Sequence, residues 1–281
     1  MFSKLGIVLV LFLILPLKYA ILALLVLAYT YQHVVARMYG LHVMPSMDLN
    51  CFMSNDKAVV NICSCTTLNY GEPKYAKEAF GRLIDAHLKA RAEVVRVFGD
   101  MYYRELDKEV AYEHCFETLP DGFIKTEADL QKYVGERIVE VFPDNVPKWK
   151  VFIQRDYLDG KGLCIFKAHH SFCDGMSSMF VNLQIDETYD LSKMIEVKPI
   201  PFWLPWMYRM MVPFMIPRMM LREARRKIDK NPLHDGKRRL TGQKKVVMSQ
   251  RFKFAEIKAT SKALGVTINE LLTSALSVAI K

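Results

Sequence analysis

The chain has 281 residues, 51% of them hydrophobic and 25% charged, proportions that exclude a disordered chain and fit one large domain or two small ones with an appendage. Its net charge of +9 is concentrated, because Arg218 to Lys245 holds eleven Lys/Arg against Glu223, Asp229 and Asp235, a local excess of +8. That charge follows a Trp/Met/Pro-rich run and is not interleaved with aromatic residues, so a general nucleic-acid surface is set aside in favour of membrane headgroups.

Leu5 to Tyr31 is apolar over 27 positions broken only by Pro16 and Lys18. As a helix it reaches ~40 Å, against ~30 Å of bilayer hydrocarbon. Lys18 costs ~3 kcal/mol near the centre, which the seventeen Leu, Ile, Val and Phe residues outweigh at roughly 0.3 to 0.6 kcal/mol each. An uncleaved transmembrane anchor over residues 1–31 is favoured over a cleaved signal peptide, because the apolar block Ala20 to Ala28 carries no clean small-x-small site before a polar start. A membrane hairpin folded at Pro16 to Lys18 is the third reading. The six cysteines, Cys51, Cys63, Cys65, Cys115, Cys164 and Cys173, need not pair in a chain this rich in core residues, and no Asn-x-Ser/Thr site occurs; the bulk of the chain is expected in the cytosol. Cys63 and Cys65 share a strand face and are expected as buried thiols, since no second pair stands at zinc spacing.

After a polar joint at Gln32 to Gly40, Ala58 to Leu68 predicts a strand and Lys74 to Phe98 an amphipathic helix with Phe80, Leu83, Ile84, His87 and Leu88 on one face. Met101 to Thr118 reads as strand-rich, and Glu127 to Val141 as a helix stopping before Pro143. Trp149 to Arg155 and Gly162 to His169 are two strands joined through Asp159-Gly160, a hairpin signal. Beyond them Met176, Met179, Phe180 and Leu183 recur at helical spacing behind Asp174, which stands where an N-cap would. Pro199 to Leu221 holds five prolines, six methionines, Trp203 and Trp206 with only Arg209 and Arg218 charged. That composition argues against a straight spanning helix and suits either a segment lying among headgroups or a cover over a hydrophobic tunnel. Ala255 to Leu264 predicts a helix ended by Gly265. Thr267 and Glu270 form a capping box opening a last helix, with Leu271, Leu272, Ala275, Leu276 and Ala279 on its buried face.

The chemistry gathers in His169-His170-Ser171-Phe172-Cys173-Asp174-Gly175, an HHxxxDG motif. Successive side chains of an extended strand point to opposite faces, so one histidine at most faces a given cavity and the pair is not a bidentate metal site. One imidazole, with a pKa near ~6.5, is then free for general-base work while its neighbour packs into the structure. Asp174 has two readings, helix cap or carboxylate held by an arginine. Gly175 lets the backbone turn tightly beside the histidine.

With the hairpin before it and the helix after it, this motif resembles the wax ester synthase/diacylglycerol acyltransferase family of the chloramphenicol acetyltransferase-like superfamily. Pro45-Ser46-Met47-Asp48 with Phe52, Pro147-Lys148-Trp149-Lys150, and Val266-Thr267-Ile268-Asn269-Glu270 are similar to that family's flanking segments, in its order, over roughly Met44 to Lys281. The resemblance implies an α/β fold, a mixed β-sheet flanked by helices behind the transmembrane helix. It divides the chain into anchor (1–31), first lobe with HHxxxDG (32–198), membrane-interface and basic insertion (199–245) and the start of a second lobe (246–281). It also implies that His170 takes the proton from an alcohol attacking an acyl-coenzyme A thioester, with His169, Asp174 and Gly175 supporting it and Asn269 near the substrate channel. No metal or prosthetic group is implied, acyl-coenzyme A being a substrate. The partners are then acyl-coenzyme A, a long-chain alcohol or diacylglycerol and the membrane, with the endoplasmic reticulum as the expected location. Backbone N–H groups at the start of the helix after Asp174 are an expected oxyanion site. Glu270 departs from the family's usual aspartate. Family members also continue with a second half, so the chain reads as a fragment of a longer enzyme, or as a relative that binds lipid or a partner without acyl transfer.

Overall fold

The computed structural model describes residues 17–52, 59–68, 73–185, 199–225, 241–250 and 252–280. They divide into two compact units: Met1–Tyr189 with Thr241–Met248, and Asp190–Leu240 with Ser249–Lys281.

The first unit opens on helix α1 (Leu17–Tyr39). Of the span read over Leu5 to Tyr31, residues 5–16 lie outside the described ones. The polar joint at Gln32 to Gly40 is corrected: the helix runs through it, because Val35 and Ala36 bury themselves against Tyr102. It stops at Gly40, whose φ of 63° suits glycine. Strand β1 (His42–Val43) and helix α2 (Ser46–Phe52) follow, then β2 (Asn61–Leu68) and α3 (Pro73–Ala86). The helix expected as far as Phe98 ends at Ala86. A 3-10 turn, Leu88–Arg91, leads instead into β3 (Ala92–Val97), which turns back through Phe98 and Gly99 into β4 (Asp100–Glu105). Both turn residues have positive φ, 50° and 87°, as a two-residue hairpin of right-twisted strands requires. The strand-rich region then contains a helix, α4 (Lys108–Cys115), ahead of β5 (Phe116–Thr118). Ala111 and Cys115, four residues apart on α4, are both fully buried.

Helix α5 (Glu127–Arg137) starts on a capping box between Thr126 and Asp129. Strands β6 (Trp149–Tyr157) and β7 (Lys161–His169) form the expected hairpin, with Asp159 and Gly160 at φ of 61° and 69°. Helix α6 (Gly175–Ile185) follows the motif. Among the described residues the strands make two sheets, ordered β1-β4-β3 and β2-β7-β6-β5. Pairing is antiparallel except between β5 and β6.

The hairpin β6–β7 is buried on both faces, which explains its near-continuous apolar runs. Trp149, Val151, Ile153, Phe166 and Ala168 meet α3 through Phe80, Leu83 and Ile84. Phe152, Leu163 and Ile165 meet Leu130, Tyr133 and Val134 of α5 on the other side. Gln154, fully buried, pairs with the backbone of Ile124 in both directions, accepting at 2.8 Å and donating at 2.9 Å. Cys63 is half-buried, whereas Cys65 is exposed, against the expectation that both are buried.

In the second unit, α7 (Trp203–Arg225) is one helix through Pro205, Pro213 and Pro217. Pro205 sits in the first turn, where no intrahelical donor is lost; the other two remove backbone donors from the interior. Most of its described apolar side chains are exposed, Phe214 to 82%. Helices α8 (Phe254–Ala263) and α9 (Ile268–Ile280) follow the predicted bounds, with Gly265 at φ 66° between them. The capping box forms: Thr267 N–H donates to Glu270 Oε2 at 2.7 Å, and Glu270 N–H to Thr267 Oγ1 at 3.2 Å. The expected buried face of α9 does not form, with Leu272 and Leu276 exposed and Leu271 half-buried. Among the described residues no single helix is long and apolar enough to cross a membrane, and α8 with α9 meets that test only as a pair bent by 92°.

Candidate active site

Strand β7 carries the histidines to its tip. The N–H of His169 donates to Lys148 O, and that of His170 to Val60 O, each at 2.8 Å, so the tip is held from both sides. Phe172 N–H donates back to His169 O at 2.8 Å and closes a turn. The Phe172 ring then stacks on Trp149 with centroids 5.6 Å apart, anchoring the turn in the core.

Asp174 resolves into a cap. Its Oδ1 accepts from Ser177 N–H at 2.8 Å, and among the described residues no arginine pairs with it. The hydrogen bonds from Ser177, backbone first, hold its carboxyl below the usual carboxylate range. Ser177 N–H is one of the donors an oxyanion site at this helix start would use, and Asp174 already occupies it. The need for glycine at 175 is also corrected: φ there is not positive, and a Cβ would meet nothing within 4 Å.

Both histidine rings are half-buried, and both touch the last turn of α2. His169 stacks on Phe52 with centroids 4.4 Å apart, and its Nδ1 lies 2.8 Å from Ser171 Oγ. Burial, then the charges of Lys148 and His170, push its pKa down to about 4, so the ring stays neutral through the physiological range. His170 Nδ1 lies 3.8 Å from Cys51 Sγ.

The segment from Pro45 to Phe52 adds a second set of contacts. Asp48 is buried; its Oδ2 accepts from Tyr103 OH at 2.9 Å and pairs with Lys89 Nζ at 2.7 Å. Asp48 thus ties Lys89 and Tyr103 to the helix whose last turn touches both imidazoles. Lys148 is buried as well, and its Nζ donates to the carbonyls of Pro143 and Asp144. A cavity of about 390 Å³ opens behind the Phe52 ring, lined also by Glu93, Arg96, Met101 and Lys148; neither histidine lines it.

The structure brings His169, His170, Asp174 and Gly175 together with Cys51, Phe52, Tyr103 and Ser171. Asn269 belongs to the second unit, exposed on the first turn of α9. Sequence reading singled out Asp48 and Phe52 only as motif letters, and it missed Cys51, Lys89, Tyr103 and Ser171 as parts of the site.

The buried imidazoles set an acid limit on stability. His114, on α4, is likewise pushed down to about 4 by burial and then by Lys150, Lys148 and Lys167. Unfolded, both rings titrate near 6.5. Between those values the unfolded chain binds more protons, so stability rises with pH across the window and is lost as pH falls through it. Thermal unfolding followed by circular dichroism is expected to show a lower Tm at about pH 4.5 than at about pH 7, with a smaller difference in His114→Phe and His169→Phe.

No protein-family model and no curated protein matches the sequence. Among solved structures, the wax ester synthase/diacylglycerol acyltransferase from Marinobacter aquaeolei VT8 is similar at TM-score 0.54 and 18% identity, over 82% of this chain and 58% of that one. Slighter likenesses are to a condensation domain of the enacyloxin polyketide synthase (TM-score 0.41, 14% identity, 57% of this chain and 32% of that one) and to the SgcC5 protein from Streptomyces globisporus (0.42, 16%, 57% and 38%). The chain spans less than two thirds of the length of the Marinobacter enzyme. With its helix-flanked mixed sheet and its histidines at a strand tip, the chain shares over most of its length the fold of that wax ester synthase/diacylglycerol acyltransferase, the family its motifs resemble.

Proposed function

We propose that the protein is a membrane-associated O-acyltransferase that moves a fatty acyl group from acyl-coenzyme A to a long-chain alcohol or diacylglycerol. The observation that carries this reading is the half-buried His170 ring just past the end of β7, its N–H donating to Val60 O beside the bond from His169 N–H to Lys148 O. His170 accepts the proton of the acceptor hydroxyl as its oxygen attacks the thioester carbonyl; the tetrahedral adduct collapses, and the departing thiolate takes that proton from the imidazolium. His169, neutral and stacked, keeps the neighbouring position uncharged. Asp174 holds the turn through the helix cap. No metal or prosthetic group enters this scheme.

Both substrates partition into bilayers. The apolar N-terminal stretch supplies an anchor, and α7, with exposed Trp203, Trp206 and Phe214 leading to Arg222 and Arg225, suits the headgroup region. An endoplasmic-reticulum membrane with the histidines on the cytosolic side fits this arrangement, and Asn269 is carried as a substrate contact on the motif alone.

The test is ester formation by membranes containing the full chain, supplied with radiolabelled acyl-coenzyme A and a fatty alcohol or diacylglycerol. Labelled neutral ester above that of membranes lacking the chain is expected. No ester with either acceptor overturns the enzyme reading and leaves a protein that binds lipid or a partner.

A further inference from the structure

Among the described residues, Cys51 touches the His170 ring and has no role in the acyl-transfer scheme. It sits on the last turn of α2, the residue before Phe52. Its Sγ is 3.5 Å from Met47 O, four residues back, and 3.8 Å from His170 Nδ1. Sulfur's larger radius makes both separations ordinary for a thiol.

We propose that Cys51 is a positioning residue that fixes the tautomer of His170, holding the ring proton on Nδ1 and leaving the Nε2 lone pair to receive the proton of the acceptor alcohol. The proposal rests on the general-base reading of His170 and adds the means by which the ring is prepared. A thiol has one proton, assigned here to the Met47 carbonyl, which can only accept. The sulfur that faces His170 then acts as the acceptor, and Nδ1 brings the hydrogen. In a neutral imidazole one nitrogen donates and the other accepts, which leaves Nε2 bare. Burial, reinforced by the Asp48 carboxylate and opposed by Lys89, pushes the Cys51 thiol up, so it keeps its proton at neutral pH. Because the neighbouring Phe52 carries the stack on His169, a single turn of α2 sets the pose of one ring and the protonation pattern of the other.

The experiment is ¹⁵N NMR of the histidine ring nitrogens in the full chain, labelled, solubilised in detergent and held at roughly pH 8, where ordinary imidazoles are neutral. The His170 signals are assigned by their loss in His170→Gln. The wild type is expected to show a protonated Nδ1 and a bare Nε2. In Cys51→Ala the proton redistributes toward Nε2, and ester formation falls roughly five- to tenfold, the size of one lost orienting hydrogen bond. Cys51→Ser keeps an acceptor beside the ring and restores the wild-type tautomer with most of the rate. A proton on Nε2 in the wild type, or the same ring spectrum in wild type and Cys51→Ala, overturns the proposal. The spectra need no turnover, so a chain that makes no ester can still show the predicted tautomer, and failure of the enzyme reading is seen separately.

Discussion

His170→Ala is expected to lower ester formation by ~10²- to 10⁴-fold, the span typical of a positioned general base, while moving Tm little. The two halves of this expectation have different causes. The ring supplies the only proton acceptor that the proposed reaction assigns, and alanine removes it entirely. The fold depends instead on the backbone at this position, where the N–H of residue 170 donates to Val60 O, a bond alanine retains. The ring is half-buried, so its loss leaves no closed cavity. Measurement of kcat beside a thermal melt separates the outcomes: a large fall in rate with an unchanged melt supports the base, whereas full activity in the variant removes His170 from the chemistry. His169→Ala is the useful contrast, because it strips the stack on Phe52 and the contact with Ser171 Oγ and is expected to lower Tm and rate together.

Trp149→Ala is expected to cost about 3–5 kcal/mol of stability, the range for emptying a large aromatic site in a core. Trp149 is fully buried, and its ring lies within 6.1 Å, centroid to centroid, of Phe80, Phe116, Phe166 and Phe172. Its Nε1–H donates to Ala90 O at 2.8 Å, so truncation also leaves that carbonyl without its donor. Chemical denaturation followed by near-UV circular dichroism measures the loss. Trp149→Phe keeps most of the ring contacts but not the hydrogen bond and is expected to cost roughly 1–3 kcal/mol. A Trp149→Ala midpoint equal to wild type would remove this side chain from the centre of the core. Since Phe172 of the motif leans on the same ring, loss of order at the strand tip is expected to accompany the loss of stability.

The elements that sequence reveals best are those whose signal is local. The Asp159-Gly160 turn, the Asp174 cap and the Thr267–Glu270 box each involve residues within four positions of one another, and each forms. The boundary at Ala86 was hidden because the apolar residues of β3 continue a plausible helical spacing beyond α3. What makes Ala92–Val97 a strand is its pairing with Asp100–Glu105 across the Phe98–Gly99 turn. α4 was missed for the converse reason, since Val110 and Tyr112 favour strands while the burial of Ala111 and Cys115 depends on tertiary contact. On α9 the leucines recur at the period of a buried face, but periodicity specifies a stripe and not the surface that covers it. At the site, the histidine pair was legible as a motif. The contacts of Cys51 with His170 and of Asp48 with Tyr103 join residues 119 and 55 positions apart and leave no local trace.

The contacts of Asp48 with Lys89 and Tyr103 have one more implication. Asp48 lies on α2, whose last turn touches both imidazoles, and Tyr103 on β4, so the posture of the imidazoles is inherited from the seating of α2 on the small β1-β4-β3 ribbon and is not encoded within the seven letters of the motif. Transplanting those letters onto a foreign hairpin would therefore carry the spelling across without the aim, whereas a change at Tyr103, remote from any reacting atom, can mistune the machinery.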